Sequence, residues 1–377
     1  APTEIYTGLY SSAASDVYKR QLKARTLPWP RSSSSLRSGV PTSLAPYPLR
    51  RVGRNATCCA SANKSCANKW RRRAVHWYRS TMKVAIVFDS PFEAGPEYYD
   101  QVYDEVTAPS FKGEPDPEYQ IAAALRKRGH EVWLLGAHDD PMSVMHALRK
   151  QPVDMVWNAS EGFGTLDSLD FLLPALLDAE GQPYTGASPQ CLMVTRNKAM
   201  TKKVLAHHEI EVPRFLTYRL GEEVSDDDEL FFPAIVKPMR LDASQGISKA
   251  SVVYDRESLV DRVRFVHDKI HDAAIVEDYI EGRELYASVI GNGEDLTLLP
   301  IVELIFDPDK SKPEDRIATK QKKWKDQYGA KPKIKQVFAR PLSKVALERI
   351  ERTCLVGFRA LWLRDYALSL IHISEPT

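Results

Sequence analysis

The sequence lacks any apolar run that approaches the about 20 residues of a membrane-spanning helix. It also lacks a marked excess of charge, because 52 Lys and Arg residues oppose 50 Asp and Glu residues, for a formal net charge of +2. No internal repeat is visible. These absences give no global argument for a membrane or a nucleic acid as partner. We predict a globular protein, long enough at 377 residues for two or three domains.

Cysteine is scarce, with five residues in the whole chain. Cys58, Cys59 and Cys66 have no His or Cys partners at a spacing that favours a zinc site. Cys191 and Cys354 are predicted to be buried or half-buried thiols in a reducing, cytoplasmic compartment.

The two ends differ in pattern from the rest of the chain. Residues 1–81 are rich in Arg and Ser, poor in acids, and show no sustained apolar period. A transit peptide is one interpretation. The other is that Met82 is the true start, because residues 11–21 and 369–377 resemble translated sequencing-adapter sequence. On that interpretation residues 1–81 and 368–377 are non-native and are predicted to lie outside the fold.

Residues 82–194 are predicted to form a Rossmann-like, doubly wound α/β domain. Buried strands and helices alternate, and the polar loop EGFGTLDS (161–168) follows a strand end, where ligands bind in such sheets. The predicted strands are 83–89, 131–137 and 153–160, and the predicted helices are 117–128, 141–150 and 169–180.

The remaining residues are predicted to form two further α+β units, 195–272 and 273–367. The predicted helices are 196–210, 256–270 and 342–362, and the predicted strands include 232–239, 273–280, 284–292 and 298–306.

Lys237 ends an otherwise apolar strand, where its ammonium group needs an anion or a pocket. The loop that follows contains Ser244, Gly246 and Ser248, small residues that let backbone N–H groups approach an anion closely. This arrangement is consistent with a phosphate cradle, although it lacks the spacing of a Walker P-loop. A surface lysine beside a plain hairpin stays open as the alternative.

The strand that ends in VEDYIEGRE indicates an adenosine site. Alternation puts Glu277 and Tyr279 on one face and Asp278 and Ile280 on the other. One carboxylate could accept from the adenine amine and a second, Glu284, could hold the ribose hydroxyls. A solvated acidic hairpin is the alternative.

The motifs taken in order resemble those of the ATP-grasp D-alanine–D-alanine ligases. The matching run is DMVWNASEGF…PYTGAS…RNKAMTKKVLAHHEIEVPRF…FPAIVKP…SQGIS…IVEDYIEGRELYASVIG…KKW. It covers most of residues 82–367. The resemblance implies a Rossmann-like N-terminal domain (82–194), a central ATP-grasp subdomain (195–272) and a C-terminal ATP-grasp subdomain (273–367) that is incomplete.

The resemblance also implies roles for individual residues. Lys198 and Lys237 would contact the nucleotide phosphates, with Ser244, Gly246 and Ser248 in a closing loop. Glu277 would bind the adenine amine and Glu284 the ribose. Asp278 and Ile280 would line the ring through their backbones, with Tyr279 between them. Lys323 in a lid-like segment would meet the terminal phosphate, and Lys237 and Lys323 would act in catalysis. Glu161 and Gly162 would lie at the substrate.

The implied chemistry is ATP-dependent joining of a carboxylate to an amine through an acyl phosphate, with ATP and Mg²⁺ (or Mn²⁺) as cofactors. The implied partners are amino acids or small peptides, with no nucleic acid and no membrane, and the enzyme would be a homodimer.

Three departures fall on the amino-acid side of the site. Glu161 replaces a histidine of the family, Ala243 replaces a serine, and Trp324 replaces a tyrosine. D-Alanine is therefore less well supported than ATP, and another amino acid or peptide stays open as substrate.

The family's magnesium ligands are expected after residue 367, so no metal ligand is predicted in this chain. The chain as written is predicted to be inactive. A nucleotide-binding module without catalysis is the remaining alternative.

Overall fold

The computed structural model contains both helices and sheets and describes nine stretches of the chain. These are residues 5–10, 81–89, 110–111, 114–115, 117–137, 140–162, 169–242, 244–306 and 334–373. The α-helices within them are α1 Pro117–Lys127, α2 Pro141–Lys150, α3 Leu172–Glu180, α4 Pro189–Arg196, α5 Lys198–His207, α6 Arg256–Phe265 and α7 Lys344–Ala360. The strands are β1 Ile5–Tyr10, β2 Lys83–Asp89, β3 Ser110–Phe111, β4 Glu114–Pro115, β5 Glu131–Ala137, β6 Met155–Ala159, β7 Phe215–Tyr218, β8 Ala234–Pro238, β9 Val252–Val253, β10 Ala274–Asp278, β11 Arg283–Asn292, β12 Asp295–Leu298, β13 Val302–Ile305, β14 Lys335–Phe338 and β15 Asp365–Ile373.

The first unit is a three-layer α/β sandwich. Its parallel strands run in the order β5-β2-β6, and β2 is buried on both faces because its residues are nearly all apolar. Helices α2 and α3 cover one face and α1 covers the other. The α/β architecture predicted for this part of the chain is confirmed.

The second unit is a four-stranded antiparallel sheet in the order β7-β10-β8-β9. Residues alternate across it, so Val236 and Val276 pack on one face against α6. The opposite face carries Lys237, Ile275 and Glu277 and lies towards Ala199 of α5.

The third unit is a six-stranded sheet in the order β1-β15-β11-β13-β14, with β12 paired to β11. One face packs on α7 and on the α4–α5 pair, and it forms the core around Leu285, Ile350 and Phe358. The other face carries Glu284, Tyr286 and Leu368. Helix α7 confirms the predicted final helix.

Three local predictions differ from the structure. The predicted helix 196–210 is shorter and begins at Lys198, because the Asn197 side chain accepts from the Met200 N–H and caps α5, whereas Arg196 is the last residue of α4. The predicted strand 298–306 is broken at Pro300, which has no N–H to donate to a ladder. The end segments predicted to lie outside the fold contribute β1 and residues 368–373 of β15. Residues 368–373 pair with β1, and β15 as a whole pairs with β11 along nine residues.

A joint connects the first unit to the third. The Gly186 N–H donates to Asp365 Oδ2 at 2.7 Å, and Arg364 Nε donates to the Gly186 carbonyl at 2.6 Å. The Arg364 guanidinium also lies over the Tyr184 ring, 4.2 Å from its centre. Asn292 donates to Asp365 Oδ1 at 2.8 Å. These contacts fix the loop after α3 against the start of β15.

Within these stretches of the chain, no helix is both long enough and apolar enough to cross a bilayer.

Candidate functional site

Helix α5 and strands β8 and β10 bring two lysines to one carboxylate and a third lysine close by. Lys237 Nζ lies 2.8 Å from Glu277 Oε2, and Lys202 Nζ lies 3.5 Å from Glu277 Oε1. Lys198 begins α5, and its Nζ donates to the Leu241 carbonyl at 2.5 Å. We call Lys198, Lys202, Lys237 and Glu277 the lysine cluster.

Register explains why Lys237 meets Glu277. In the β8–β10 ladder Lys237 lies opposite Ile275 and Ile235 lies opposite Glu277, so Lys237 and Glu277 are diagonal neighbours on one face. The sequence places Lys198 and Lys202 four residues apart, which puts both on the helix face that covers this part of the sheet.

The cluster holds more positive than negative charge in a place with little water. Glu277 is 4% exposed, and Lys198 and Lys202 are both 6% exposed. Burial by itself raises the pKa of Glu277, but the surrounding ammonium groups, first that of Lys202, outweigh it and lower the pKa to about 2. Burial lowers the pKa of Lys198 and of Lys202. The site therefore favours the approach of a further anion.

The loop after β8 folds back over the end of that strand. Gly246 has φ of +68°, and a Cβ built on it would lie 2.8 Å from Pro238 Cγ, so the position requires glycine. Arg262 Nη2 donates to the Gly246 carbonyl at 2.6 Å and to Ser251 Oγ at 2.9 Å. The predicted loop thus lies directly beside Lys237, and α6 fixes it through Arg262.

The other two predicted loop residues take different positions. Ser244 adopts the left-handed conformation with φ of +62°. The Ser248 N–H donates to Ser251 Oγ at 3.0 Å, so this amide is already engaged within the protein. Ala243 lies outside the described residues.

The strand end predicted to face adenine shows the expected alternation. Glu277 points into the lysine cluster, whereas Asp278 binds Arg214 through two hydrogen bonds of 2.8 and 2.9 Å. The N–H groups of Asp278 and Tyr279 donate to the carbonyls of Arg214 and Pro233. The edge of a bound adenine ring would therefore contact carbonyl groups here, or the backbone of Ile280.

Glu284 lies in a different sheet from Glu277, because β10 ends at Asp278 and β11 begins at Arg283. His372 of β15 is its cross-strand neighbour, with Nε2 4.0 Å from Glu284 Oε2. Partial burial lowers the pKa of His372, and charges of the lysine cluster also act on this imidazole. The face that carries Glu284 is thus turned towards the cluster.

The predicted substrate residues lie at the end of β6. Glu161 is exposed, and its N–H donates to Asp89 Oδ2 at 2.8 Å; Gly162 is buried. The Ser160 hydroxyl lies 2.6 Å from Asp89 Oδ1. Asp89, at the end of β2, therefore shapes the turn that holds both predicted residues. Lys323 and Trp324 lie outside the described residues.

Two ionic residues beside the site were not singled out from the sequence. Lys202 shares the Glu277 carboxylate with Lys237, and its i, i+4 relation to Lys198 is the signal that could have revealed it. Arg196 is 8% exposed and forms an ion pair with Asp170 at 3.0 Å. No period or motif in the sequence marks Arg196.

A second buried carboxylate lies in the third unit. Glu303 accepts from Arg283 and Arg340, with the shortest hydrogen bond, from Arg340 Nη2, at 2.6 Å. Burial raises the pKa of Glu303, but the two guanidinium groups outweigh it and lower the pKa to about 2. This group ties β11 and β13 to the segment before α7.

In the described part of the chain, no three His, Cys, Asp or Glu side chains gather as metal donors. The positions of β15 that follow Ala367 are Leu368, Ser369 and Leu370, and Leu368 packs in an apolar cluster. These residues do not fit a magnesium site.

Solved structures with the same fold define the class of this protein. The crystal structure of D-alanine–D-alanine ligase from Bacillus anthracis, complexed with ATP, superposes with a TM-score of 0.56 over 78% of this chain and 83% of that one, at 18% identity. The L-amino acid ligase from Bacillus licheniformis gives a TM-score of 0.52 over 79% and 64%, at 15% identity. The chain has the ATP-grasp fold.

Sequence relatives point to one family of proteins with this fold. Residues 204–367 match the family described as "D-ala D-ala ligase C-terminus". The D-alanine–D-alanine ligase of Desulforudis audaxviator is 28% identical over 66% of this chain and 74% of its own. The family match and these relatives support a place for the chain among the D-alanine–D-alanine ligase-like ATP-grasp proteins.

Two further relatives differ in how much they share. An uncharacterized protein, y4sG, of Sinorhizobium fredii is 29% identical over 76% of this chain and 82% of its own. The D-alanine–D-alanine ligase of Ralstonia pickettii is 30% identical over 49% of this chain. The chain spans only about half, 53%, of the Ralstonia enzyme.

Proposed function

We propose that the chain binds ATP at the lysine cluster and is the nucleotide-binding part of an ATP-dependent carboxylate–amine ligase. The observation that carries the proposal is the Glu277 carboxylate in ion pairs with Lys202 and Lys237, with the charge of Lys198 also acting on it, next to a glycine loop that folds over the end of β8. In the ion pairs of this cluster three ammonium groups face the two carboxylates of Glu277 and Asp242, and this excess of positive charge would attract phosphate oxygens.

The residues of this chain would hold the nucleotide in a defined orientation. Lys198 and Lys237 would donate to phosphate oxygens, and Lys202 would keep Glu277 ionised and turned towards Lys237. Glu277 could then accept from the adenine amine, while Glu284 lies across the gap between the two sheets at the ribose. The family match and the fold of an ATP-complexed relative support this assignment.

ATP supplies a phosphoryl group that turns a carboxylate into an acyl phosphate, an efficient acyl donor. A carboxylate oxygen attacks the terminal phosphorus and ADP leaves; an amine then attacks the acyl carbon and inorganic phosphate leaves. The lysines offset the negative charge that builds up on the transferred group. Because the described residues do not fit a metal, no step is assigned to one.

The substrates are inferred to be small amino acids or peptides. Among the described residues, a substrate other than D-alanine is favoured by the exposed Glu161, where the family carries a histidine. The homodimer and the cytoplasmic location stay predictions.

The proposal is tested by measuring ATP binding to the purified chain by calorimetry. Lys237→Met should weaken ATP binding about tenfold or more, because it removes a charge-assisted hydrogen bond. Lys203→Met is the matched control, since Lys203 is exposed on the opposite side of α5. Absence of ATP binding by the unsubstituted chain would overturn the proposal.

Catalysis is tested in parallel by phosphate release with ATP, magnesium and a panel of amino acids. We expect binding without phosphate release, because no three potential metal donors gather in the described residues. Release with D-alanine or with another amino acid would show that the chain is active and would identify its substrate.

A further inference from the structure

Arg196 lies buried where the first unit meets the loop after β8. Its Nη2 is 3.0 Å from Asp170 Oδ2, just before α3, and its Nη1 is 3.7 Å from Asp242 Oδ2. Asp170 is 6% exposed, so both partners of this ion pair are removed from water. Burying an arginine between two carboxylates costs desolvation free energy, and this cost is offset only if the charged groups are well oriented and hydrogen-bonded.

Three successive carbonyl groups of the segment 239–242, which we call the entry segment, accept from the end of α4 and the start of α5. The Met239 carbonyl accepts from the Lys198 N–H at 3.2 Å, the Arg240 carbonyl from Arg196 Nη1 at 3.3 Å, and the Leu241 carbonyl from Lys198 Nζ at 2.5 Å. Arg196 and Lys198 therefore hold the same piece of backbone.

Asp242 sits between two cations. Its carboxylate oxygens lie 3.7 Å from Arg196 Nη1 and 3.9 Å from Lys198 Nζ. Without the guanidinium, this partly buried carboxylate would keep Lys198 as the other cation of its ion pairs. It would then draw the ammonium group to itself and oppose an incoming phosphate.

We propose that Arg196 is a positioning residue of the nucleotide site: it neutralises Asp242 and fixes the entry segment, so that the Lys198 ammonium group is available to phosphate oxygens. The inference rests on the proposed function for its consequence on ATP. Through Asp170 it also connects the unit that carries Glu161 to the phosphate side of the site.

The test is a double-mutant cycle on ATP affinity. Arg196→Met should weaken ATP binding about tenfold in the unsubstituted chain but less than about threefold in an Asp242→Asn background, because the carboxylate that Arg196 neutralises is then gone. A purely structural arginine would give the same loss in both backgrounds, and that result would overturn the proposal. Arg264→Met, on the exposed side of α6, is the control.

A second measurement does not need ATP. Hydrogen exchange of the entry-segment region should accelerate in Arg196→Met at the Lys198 and Gln245 amides, which donate to Met239 and Asp242. Amides of β10 should keep their protection. Unchanged exchange at both positions would reject the role of Arg196, whereas failure of the unsubstituted chain to bind ATP would reject the proposed function. If Arg196→Met does not fold, Arg196→Lys replaces it in both measurements, because one ammonium group cannot reach Asp170, Asp242 and the Arg240 carbonyl together.

Discussion

Within the lysine cluster, the ionisation of Glu277 contributes to the stability of the fold. Its pKa is about 2 in the folded chain against an ordinary value of 4.5. A carboxyl group with a lowered folded pKa stabilises the fold above its unfolded pKa, and this contribution is lost as the pH falls through the folded value. The window for Glu277 is therefore between about pH 4.5 and about pH 2.

We predict that Glu277→Gln lowers the free energy of unfolding by about 3 kcal/mol at neutral pH, and that this difference shrinks as the pH falls towards 2. Urea unfolding of both proteins at a series of pH values measures it. Glu257→Gln, at an exposed position of α6, serves as the reference. A difference that stays constant across the acid range would contradict the linkage to this carboxyl group.

Single residues also show what the sequence could reveal. Lys237 at the end of an apolar strand and the acid Glu277 were both singled out from the pattern alone, and the structure pairs the two side chains. Lys198 entered through the family resemblance. Arg196 could not be found in this way, because its role depends on Asp170 and Asp242, whose proximity is created by the packing of separate units.

At the scale of elements, the loop after β8 combines a backbone conformation with a close contact. Gly246 needs both a positive φ and the absence of a Cβ next to Pro238. We predict that Gly246→Ala destabilises the chain by about 1–3 kcal/mol and weakens ATP binding, because either the loop or the end of β8 must shift.

Gly293→Ala separates the effect of the positive φ from the effect of the close contact. Gly293 has φ of +60°, and no atom lies within 4 Å of a Cβ built on it. It should cost only the backbone strain and leave ATP binding unchanged. Thermal unfolding and calorimetry on both variants measure the contrast, and equal effects of the two substitutions on ATP binding would refute the close-contact argument.

The elements themselves were largely predictable where apolar periodicity is long. The pattern predicts the strands of the first unit, because each is a run of buried apolar residues. It also predicts α6 and α7, because each helix buries one apolar face. The break at Asn197 depended on a side-chain cap, which periodicity does not register. The pairing of β15 with both β1 and β11 joins distant parts of the chain, which a local pattern cannot specify.

At the scale of the whole molecule, the joint between the first and third units rests on few groups. Asp365 has φ of +61° and accepts from the Gly186 N–H and from Asn292 with separate oxygens. We predict that Asp365→Gly, which suits this backbone conformation but removes both acceptors, lets the first unit unfold at a lower temperature than the rest.

Differential scanning calorimetry would then record two transitions in place of one. Arg359→Ala is the control, because its ion pair with Glu294 is exposed and such pairs contribute about 0–1 kcal/mol. A single transition that merely moves to lower temperature in Asp365→Gly would mean that other contacts are sufficient to couple the units.

The same joint has a consequence for the order of events in folding. The Gly186–Asp365 bond closes a span of 179 positions, whereas the Lys237–Glu277 pair closes a span of 40. Contacts between near neighbours in the chain form with a smaller loss of chain entropy and come early. We therefore expect the lysine cluster to form before the first unit is attached to the third, so that the nascent site would have its charges in place while its substrate side is still open.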